Sequence, residues 1–241
     1  MAILGRFLSD SEKRYFEERE KTVADIEPAL LADNPFLFAN RFVVTEMLVR
    51  AKLFEQILDV SGAIVECGVA GGNNLMLFSH MSSIMEPYAI NRRIVGFDTF
   101  EGFRSIAPED PDDISESDFS GNRAETIQKA IDLYDLNRVV GHMKRTEIVK
   151  GDAVETIPAY VENAPELTIA LLYLDFDLYE PTKVALEQML PLVAKGGIVC
   201  LDEFNYDKFA GETQALKDLL NVNQLELKRF PFAPFVAYFK V

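Results

Sequence analysis

Residues 168–204 read TIALLYLDFDLYEPTKVALEQMLPLVAKGGIVCLDEF. The opening run, Ile169 to Leu174, is apolar and short, the pattern of a strand buried on both faces. It runs into Asp175-Phe176-Asp177, so a continuing strand projects two carboxylates, at i and i+2, from its carboxyl end on one side. Pro181 stands near the start of a helical pattern carried by Val184, Leu186, Met189 and Leu190. Pro191 and the turn Lys195-Gly196-Gly197 bring that helix to an end. A second apolar run, Ile198 to Leu201, closes on another acidic pair, Asp202-Glu203. A right-handed crossover returns the second strand parallel to the first, so the two strand ends lie side by side. Four carboxylates then gather where open α/β sheets bind their ligands. Close carboxylates repel unless a proton, a cation or a hydrogen-bond donor relieves them. An oxygen-rich site of this kind suits a hard divalent cation such as Mg²⁺. Helix capping and plain solvation at strand ends are the competing readings.

Upstream, Ala63 to Val69 reads as the first strand. It ends in Glu66-Cys67-Gly68-Val69-Ala70-Gly71-Gly72-Asn73-Asn74 before a helical run from Leu75 to Met85. A strand, a glycine-rich turn and a helix N-terminus form the general plan of a nucleotide site, with glycines admitting close backbone approach. The pattern is ExGxxGG, not GxGxxG. An acid two residues before the first glycine repels a pyrophosphate but suits an amino or sulfonium group, as in S-adenosylmethionine (SAM); a simple tight turn also explains the glycines. The next strand, Arg93 to Phe97, ends in Asp98-Thr99-Phe100, which places an acid for both ribose hydroxyls. Phe100 is either an adenine-packing ring or core. Residues 104–123, rich in Asp, Glu, Ser and Pro, form a long non-periodic segment, either a lid over the site or a solvated charge run. A helix over Ala124 to Leu136 and a third strand, Glu147 to Lys150, follow. That strand stops at Gly151-Asp152-Ala153, where Asp152 is a candidate for the adenine amino group.

The remainder sets the frame. With 241 residues and 49% hydrophobic composition, the chain accommodates one α/β domain, 61–241, behind a helical extension, 1–60. A net charge of −15 without a basic stripe argues against nucleic acid and anionic membranes as partners. No run has signal-peptide or membrane-span length. Cys67 and Cys200 fall at the ends of buried strands, the usage of a reduced cytoplasmic protein. His80 and His142 read as packing or surface residues. Ser9 to Asp25 reads as an exposed charged helix, and a second helical region is expected from Asn34-Pro35, with Phe38, Phe42, Val43, Met47, Leu48, Leu53, Phe54 and Ile57 on its apolar face. Helices that a minimal domain does not need point to a homo-oligomer. Leu225 to Phe230 and Phe235 to Val241 read as a closing antiparallel pair, with Pro231 and Pro234 in the connection.

The blocks VECGVAGG, GFDTFEGF, KGDAVETIP, LLYLDFDLYEPTKVAL and KGGIVCLDEF, in this order, resemble the macrocin O-methyltransferase (TylF-type) family over roughly residues 40–220. The resemblance implies a Rossmann-like class I methyltransferase fold, with a mostly parallel seven-stranded sheet and helices on both faces. It also implies SAM as cofactor, Mg²⁺, and a small-molecule acceptor that offers a sugar hydroxyl of a natural product. By that resemblance Glu66, Gly68, Asp98 and Asp152 fall on cofactor-binding positions, and Gly71, Thr99, Phe100, Ala153 and Asp175 are the further cofactor candidates beside them. The metal positions are Asp175, Asp202 and Glu203, and Asp177 is the general base. The family's usual paired aspartates appear here as Asp202-Glu203. A catechol-type methyltransferase shares the same cofactor and metal logic. An NAD-dependent oxidoreductase shares the sheet but lacks its glycine fingerprint here, and a non-catalytic binding protein needs no acidic cluster.

Overall fold

The computed structural model describes residues 8–121 and 123–241. The chain divides into two compact units, Met1–Thr45 and Glu46–Val241. In the first, helix α1 (Asp10–Ala24) starts from a reciprocal cap. The Ser9 hydroxyl accepts from the Glu12 N–H at 3.4 Å, and the Ser9 N–H donates to the Glu12 carboxylate at 2.8 Å. Neither α1 nor the short α2 (Pro28–Asp33) buries a residue, as the charged sequence of α1 leads one to expect. Phe16 stacks on Phe42 at 5.9 Å. The next helix, α3 (Arg41–Glu55), begins later than Asn34-Pro35. The Asn40 side chain accepts from the N–H groups of Phe42 and Val43 at 2.9 and 3.1 Å, and this cap sets the start.

The second unit begins inside α3. Val49, Leu53, Phe54 and Ile57 are fully buried, packed in one core cluster with Ile64, Ile94 and Tyr173 of the sheet. Seven strands follow in the order β3-β2-β1-β4-β5-β7-β6. They are β1 (Ala63–Cys67), β2 (Ile94–Asp98), β3 (Thr146–Lys150), β4 (Ile169–Leu174), β5 (Val193–Leu201), β6 (Lys228–Phe230) and β7 (Ala233–Lys240). The first five are parallel, and β7 pairs antiparallel with both β5 and β6. β1 and β4 are buried at every position, in keeping with a sheet covered on both faces. One face packs on α6 (Ala153–Asn163), α7 (Tyr179–Met189) and α8 (Gly211–Leu219) through Ile157, Leu186 and Leu216. The other packs on α3, α4 (Asn73–Met85) and α5 (Ala124–Asp135) through Leu53, Phe78 and Ile131.

Two local expectations need correction. Lys195-Gly196-Gly197 lies inside β5 and not in a turn, because its backbone is paired: Gly196 N–H donates to the Val241 carbonyl at 2.7 Å, and Val241 N–H to Gly197 at 3.0 Å. Pro234 belongs to β7, and only Phe230 to Ala233 forms the tight connection. Cys67 and Cys200 are buried and free. Among the described residues, no helix is long and apolar enough to cross a membrane.

Candidate active site

In this strand order β2 and β4 flank β1 on opposite sides, so the sheet's switch point lies where the chains after β1 and β4 leave it. The two meet closely there. Gly68 has φ +99°, and a Cβ on it would stand 1.9 Å from the Asp175 carbonyl oxygen, so only glycine fits. Asp175 N–H donates to the Cys67 carbonyl at 2.8 Å, and Asp202 N–H to Leu174 at 2.9 Å, which brings the three strand ends into one rim.

On the cofactor side, Glu66 is fully buried; among the described residues no hydrogen bond of good geometry reaches either carboxylate oxygen, and the Asn74 side chain is the polar group beside it. Burial pushes Glu66 up to about 8, with the Asp98 and Asp202 charges adding to the rise and the Arg50 guanidinium and the Asn74 side chain opposing it. Among the described residues, a side chain at Gly71 would meet only the Arg123 guanidinium, at 3.5 Å. Asp98 is already engaged by backbone. Its Oδ2 accepts the N–H groups of Val69 and Ala70 at 2.9 and 2.8 Å, and its Oδ1 accepts that of Phe100 at 2.6 Å. It therefore holds the glycine turn, and only its remaining lone pair is left for a ribose. Thr99 closes its own loop, its hydroxyl donating to the Gly102 carbonyl at 2.6 Å. Phe100 is 2% exposed and lies in one core cluster with Val69, Leu75 and Ile127. Asp152 caps α6 by accepting from Val154 N–H at 3.0 Å, and its other oxygen accepts from the Ser105 hydroxyl at 2.7 Å. Ala153, first in α6 with its side chain in the core, has only a backbone N–H to offer a ligand.

On the other side of the rim the acids crowd. β4 ends at Leu174, so Asp175 and Asp177 leave a loop and not a strand edge. Asp177 adopts φ +65°, the left-handed region. Burial, Asp202 and Asp177 push Asp175 well above the usual carboxylate range, against the pull of Arg50. Burial and Asp202 push Asp177 up to about 8, and burial, Asp202 and Asp177 push Glu203 up to about 10. The cause is common: too many carboxylates share a water-poor rim, and protons relieve them. Asp177 Oδ1 and Glu203 Oε2 are buried without a partner among the described residues.

Two residues of this cluster escaped the sequence reading. Arg50, 2% exposed, reaches in from α3 with its Nη2 3.2 Å from Asp202 and 3.8 Å from Asp175. Its guanidinium lies over the Tyr173 ring, whose hydroxyl donates to Asp202. It is the built-in counter-ion of the two acids, placed by an arginine that sequence spacing makes one more charge on an amphipathic helix. The other, Glu212, is fully buried at the start of α8. The acidic loop also touches the site: Asp110, 7% exposed, accepts from Tyr179 N–H, the first residue of α7, at 2.8 Å. His80 packs half-buried against Tyr134, away from this rim.

Among the described residues no three His, Cys, Asp or Glu side chains converge closely enough to hold a metal ion. The donor chemistry nonetheless fits Mg²⁺: every donor of Asp175, Asp202 and Glu203 is a carboxylate oxygen, Glu203 Oε2 is orphaned, and Arg50 is the one cation at the Asp175–Asp202 pair among the described residues.

A glycine turn after the first strand, acids at the ends of the next two, and an antiparallel β7 inserted beside β5 define a class I methyltransferase fold. The chain belongs to the macrocin O-methyltransferase (TylF) family, whose model matches residues 13–231. It is similar to the calicheamicin methyltransferase CalS11, at 34% identity and a TM-score of 0.90, over 97% of this chain and 93% of the other. The apo structure of CalS11, a TDP-rhamnose 3'-O-methyltransferase of calicheamicin biosynthesis, aligns at 34% identity with a TM-score of 0.83, over 97% and 95%. Among curated proteins, it is 29% identical over 162 residues to the 8-demethyl-8-(2,3-dimethoxy-alpha-L-rhamnosyl)-tetracenomycin-C 4'-O-methyltransferase of Streptomyces olivaceus, covering 61% of this chain and 55% of that one. It is 27% identical over 152 residues to the demethyldecarbamoylnovobiocin O-methyltransferase of Streptomyces niveus, covering 61% and 54%. The chain thus spans about half the length of the curated relatives it matches.

Proposed function

We propose that the protein is a SAM-dependent O-methyltransferase acting in the cytoplasm on a hydroxyl of a sugar, carried by a natural product or by its activated precursor. The observation that carries this reading is Glu66, a buried carboxylate at a glycine turn with no cation in hydrogen-bond contact among the described residues, beside a rim of acids with orphaned oxygens. A cationic ligand answers the first and a hydroxyl proton the second. The sugar acceptors named for CalS11 and the tetracenomycin enzyme support the acceptor class.

In this reading SAM lies across the ends of β1 and β2. Glu66 faces its cationic part, Gly68 and Gly71 admit its close approach, Asp98 meets the ribose and Asp152 the adenine edge. Asp175 sits at the cofactor's reactive end as well as in the acid cluster. Asp177 takes the proton of the acceptor hydroxyl as that oxygen attacks the methyl carbon in line. The O–C bond forms while the S–C bond breaks, and the electron pair returns to sulfur. Holding the two reactants in line supplies much of the acceleration. Asp175, Asp202 and Glu203 would hold Mg²⁺, which supplies positive charge that eases loss of the acceptor's proton.

The decisive assay measures transfer of a labelled methyl group from SAM to nucleotide-linked deoxysugars, to glycosylated natural products and to a catechol, with and without EDTA. Transfer to a sugar, lost in EDTA and restored by Mg²⁺, is the expected result. Transfer to the catechol alone moves the protein to the catechol class, and full activity in EDTA removes the metal. NAD binding without SAM binding returns the oxidoreductase. A homo-oligomer is part of the same reading, supported by helices α1 and α2 that bury no residue. Light scattering at micromolar concentration that gave a 27.2 kDa monomer would overturn it.

A further inference from the structure

Glu212 is fully buried, and among the described residues no cation stands among its hydrogen-bond partners. A helix that only had to pack would put an apolar side chain there, since a buried carboxylate is costly unless its oxygens are used. Both are used, and by separate loops: Oε1 accepts the N–H of Asp177 and Oε2 the N–H of Glu203, each at 3.2 Å. These two residues carry the orphaned oxygens of the rim, Asp177 Oδ1 and Glu203 Oε2. One side chain therefore ties together the loops after β4 and β5 at the residues whose carboxylates are left free for chemistry.

The surroundings show that this contact is built in. Asp177 holds φ +65°, a region that a residue with a Cβ keeps only where its neighbours impose it. Two residues on, Tyr179 N–H is held by Asp110. Gly211, next to Glu212, lets α8 approach: a Cβ there would stand 2.4 Å from Asp110 Oδ1 and 2.5 Å from the Tyr179 nitrogen. The 175–179 loop is thus gripped by one carboxylate from α8 and another from the acidic loop. We propose that Glu212 is a positioning residue: by bridging the N–H groups of Asp177 and Glu203 it holds Asp177 in its left-handed conformation and aims its carboxylate at the acceptor hydroxyl. The proposal rests on the methyl-transfer reading above.

Glu212→Gln tests it with little change of volume. An amide accepts at one oxygen only, and its nitrogen would face the second N–H, so one arm of the bridge is lost. The expected result is a kcat lower by about 10- to 100-fold, with the KM of the acceptor and the SAM affinity measured by titration calorimetry unchanged. In the Asp177→Asn background the same substitution should cost little more, because the residue it aims no longer takes the proton. A kcat equal to wild type, or losses that multiply in the double variant, would overturn the proposal. The bridge is also read without turnover. In the free wild-type protein the Asp177 and Glu203 amides should exchange slowly with solvent deuterium, and both should speed up in Glu212→Gln. Fast exchange at either amide in wild type sinks the idea even where the variant does not fold. Absence of methyl transfer by wild type counts against the proposed function alone, since the exchange measurement still reports the bridge.

Discussion

The two halves of the rim present the same residue type at the same topological place and treat it in opposite ways. At the ends of β2 and β3, Asp98 and Asp152 turn inward to backbone: one holds three N–H groups of its own and the glycine loop, the other caps α6. At the ends of β4 and β5, Asp175, Asp177, Asp202 and Glu203 feel one another's charge, with Arg50 as the adjoining cation and with oxygens left over. In the first half these two acids are satisfied and serve as scaffold, and Glu66 is the exception. The second half stores unfavourable electrostatics that an added proton, cation or substrate relieves. Strain of that kind concentrates where chemistry is done, which is why we assign binding to one half and proton transfer to the other.

The sharpest way to break this contrast is to remove the arginine. Arg50→Met leaves Asp175 and Asp202 without their counter-ion, and urea unfolding should show a loss of roughly 3–5 kcal/mol. Added Mg²⁺ should recover part of that loss if a cation can take the arginine's place. An unchanged midpoint would mean that the acids do not need it, and the contrast falls. Next in size is Asp177→Asn, for which kcat should drop by about 10²-fold or more with SAM affinity intact. Calorimetry that found SAM binding lost as well would show that the halves are not separable.

Asp98→Ala probes the scaffold. Three N–H groups lose their acceptor, so thermal unfolding should register a destabilisation of about 1–3 kcal/mol together with weaker SAM binding. A loss of affinity without a loss of stability would mark Asp98 as a ligand contact only. Glu66 belongs to the cofactor side but is unsatisfied, and pH exposes that. Its folded pKa, about 8, lies above the unfolded value of 4.5, so the ligand-free protein takes up a proton on folding and its stability falls as pH rises between these values. A cationic ligand needs the ionised form. Binding then expels the proton, and SAM affinity should rise between pH 6 and 7.5 by up to about tenfold per pH unit. Glu66→Gln should flatten that rise; a persisting slope would assign it to another group. The smallest effect is expected at Asp152, where the Ala variant should cost about 1 kcal/mol in a melting experiment, the worth of one helix cap. A larger drop in SAM affinity than in stability would move Asp152 out of the scaffold.

Much of this was legible in the chain. Runs such as Ile169–Leu174 and Ile198–Leu201 declare buried parallel strands, and the acids that end them place the rim, because strand burial and crossover handedness are local consequences of apolar patterning. The family blocks carry the fold class. What the sequence leaves open is partnership. Nothing near Arg50 announces that it will meet Asp175 and Asp202, more than a hundred residues away. Nothing in Gly211-Glu212 tells that a helix start will close on Asp177 and Glu203. Phe100, equally readable as ring platform or core, lies in one core cluster with residues of α4 and α5. Lys195-Gly196-Gly197 became strand because the C-terminal residues came to pair with it. Which residue types stand at the rim is written along the chain. Which of them end up satisfied by backbone, paired with a cation or left unpaired depends on which loops and helices the sheet order brings together, and those contacts join segments with no local signal in common.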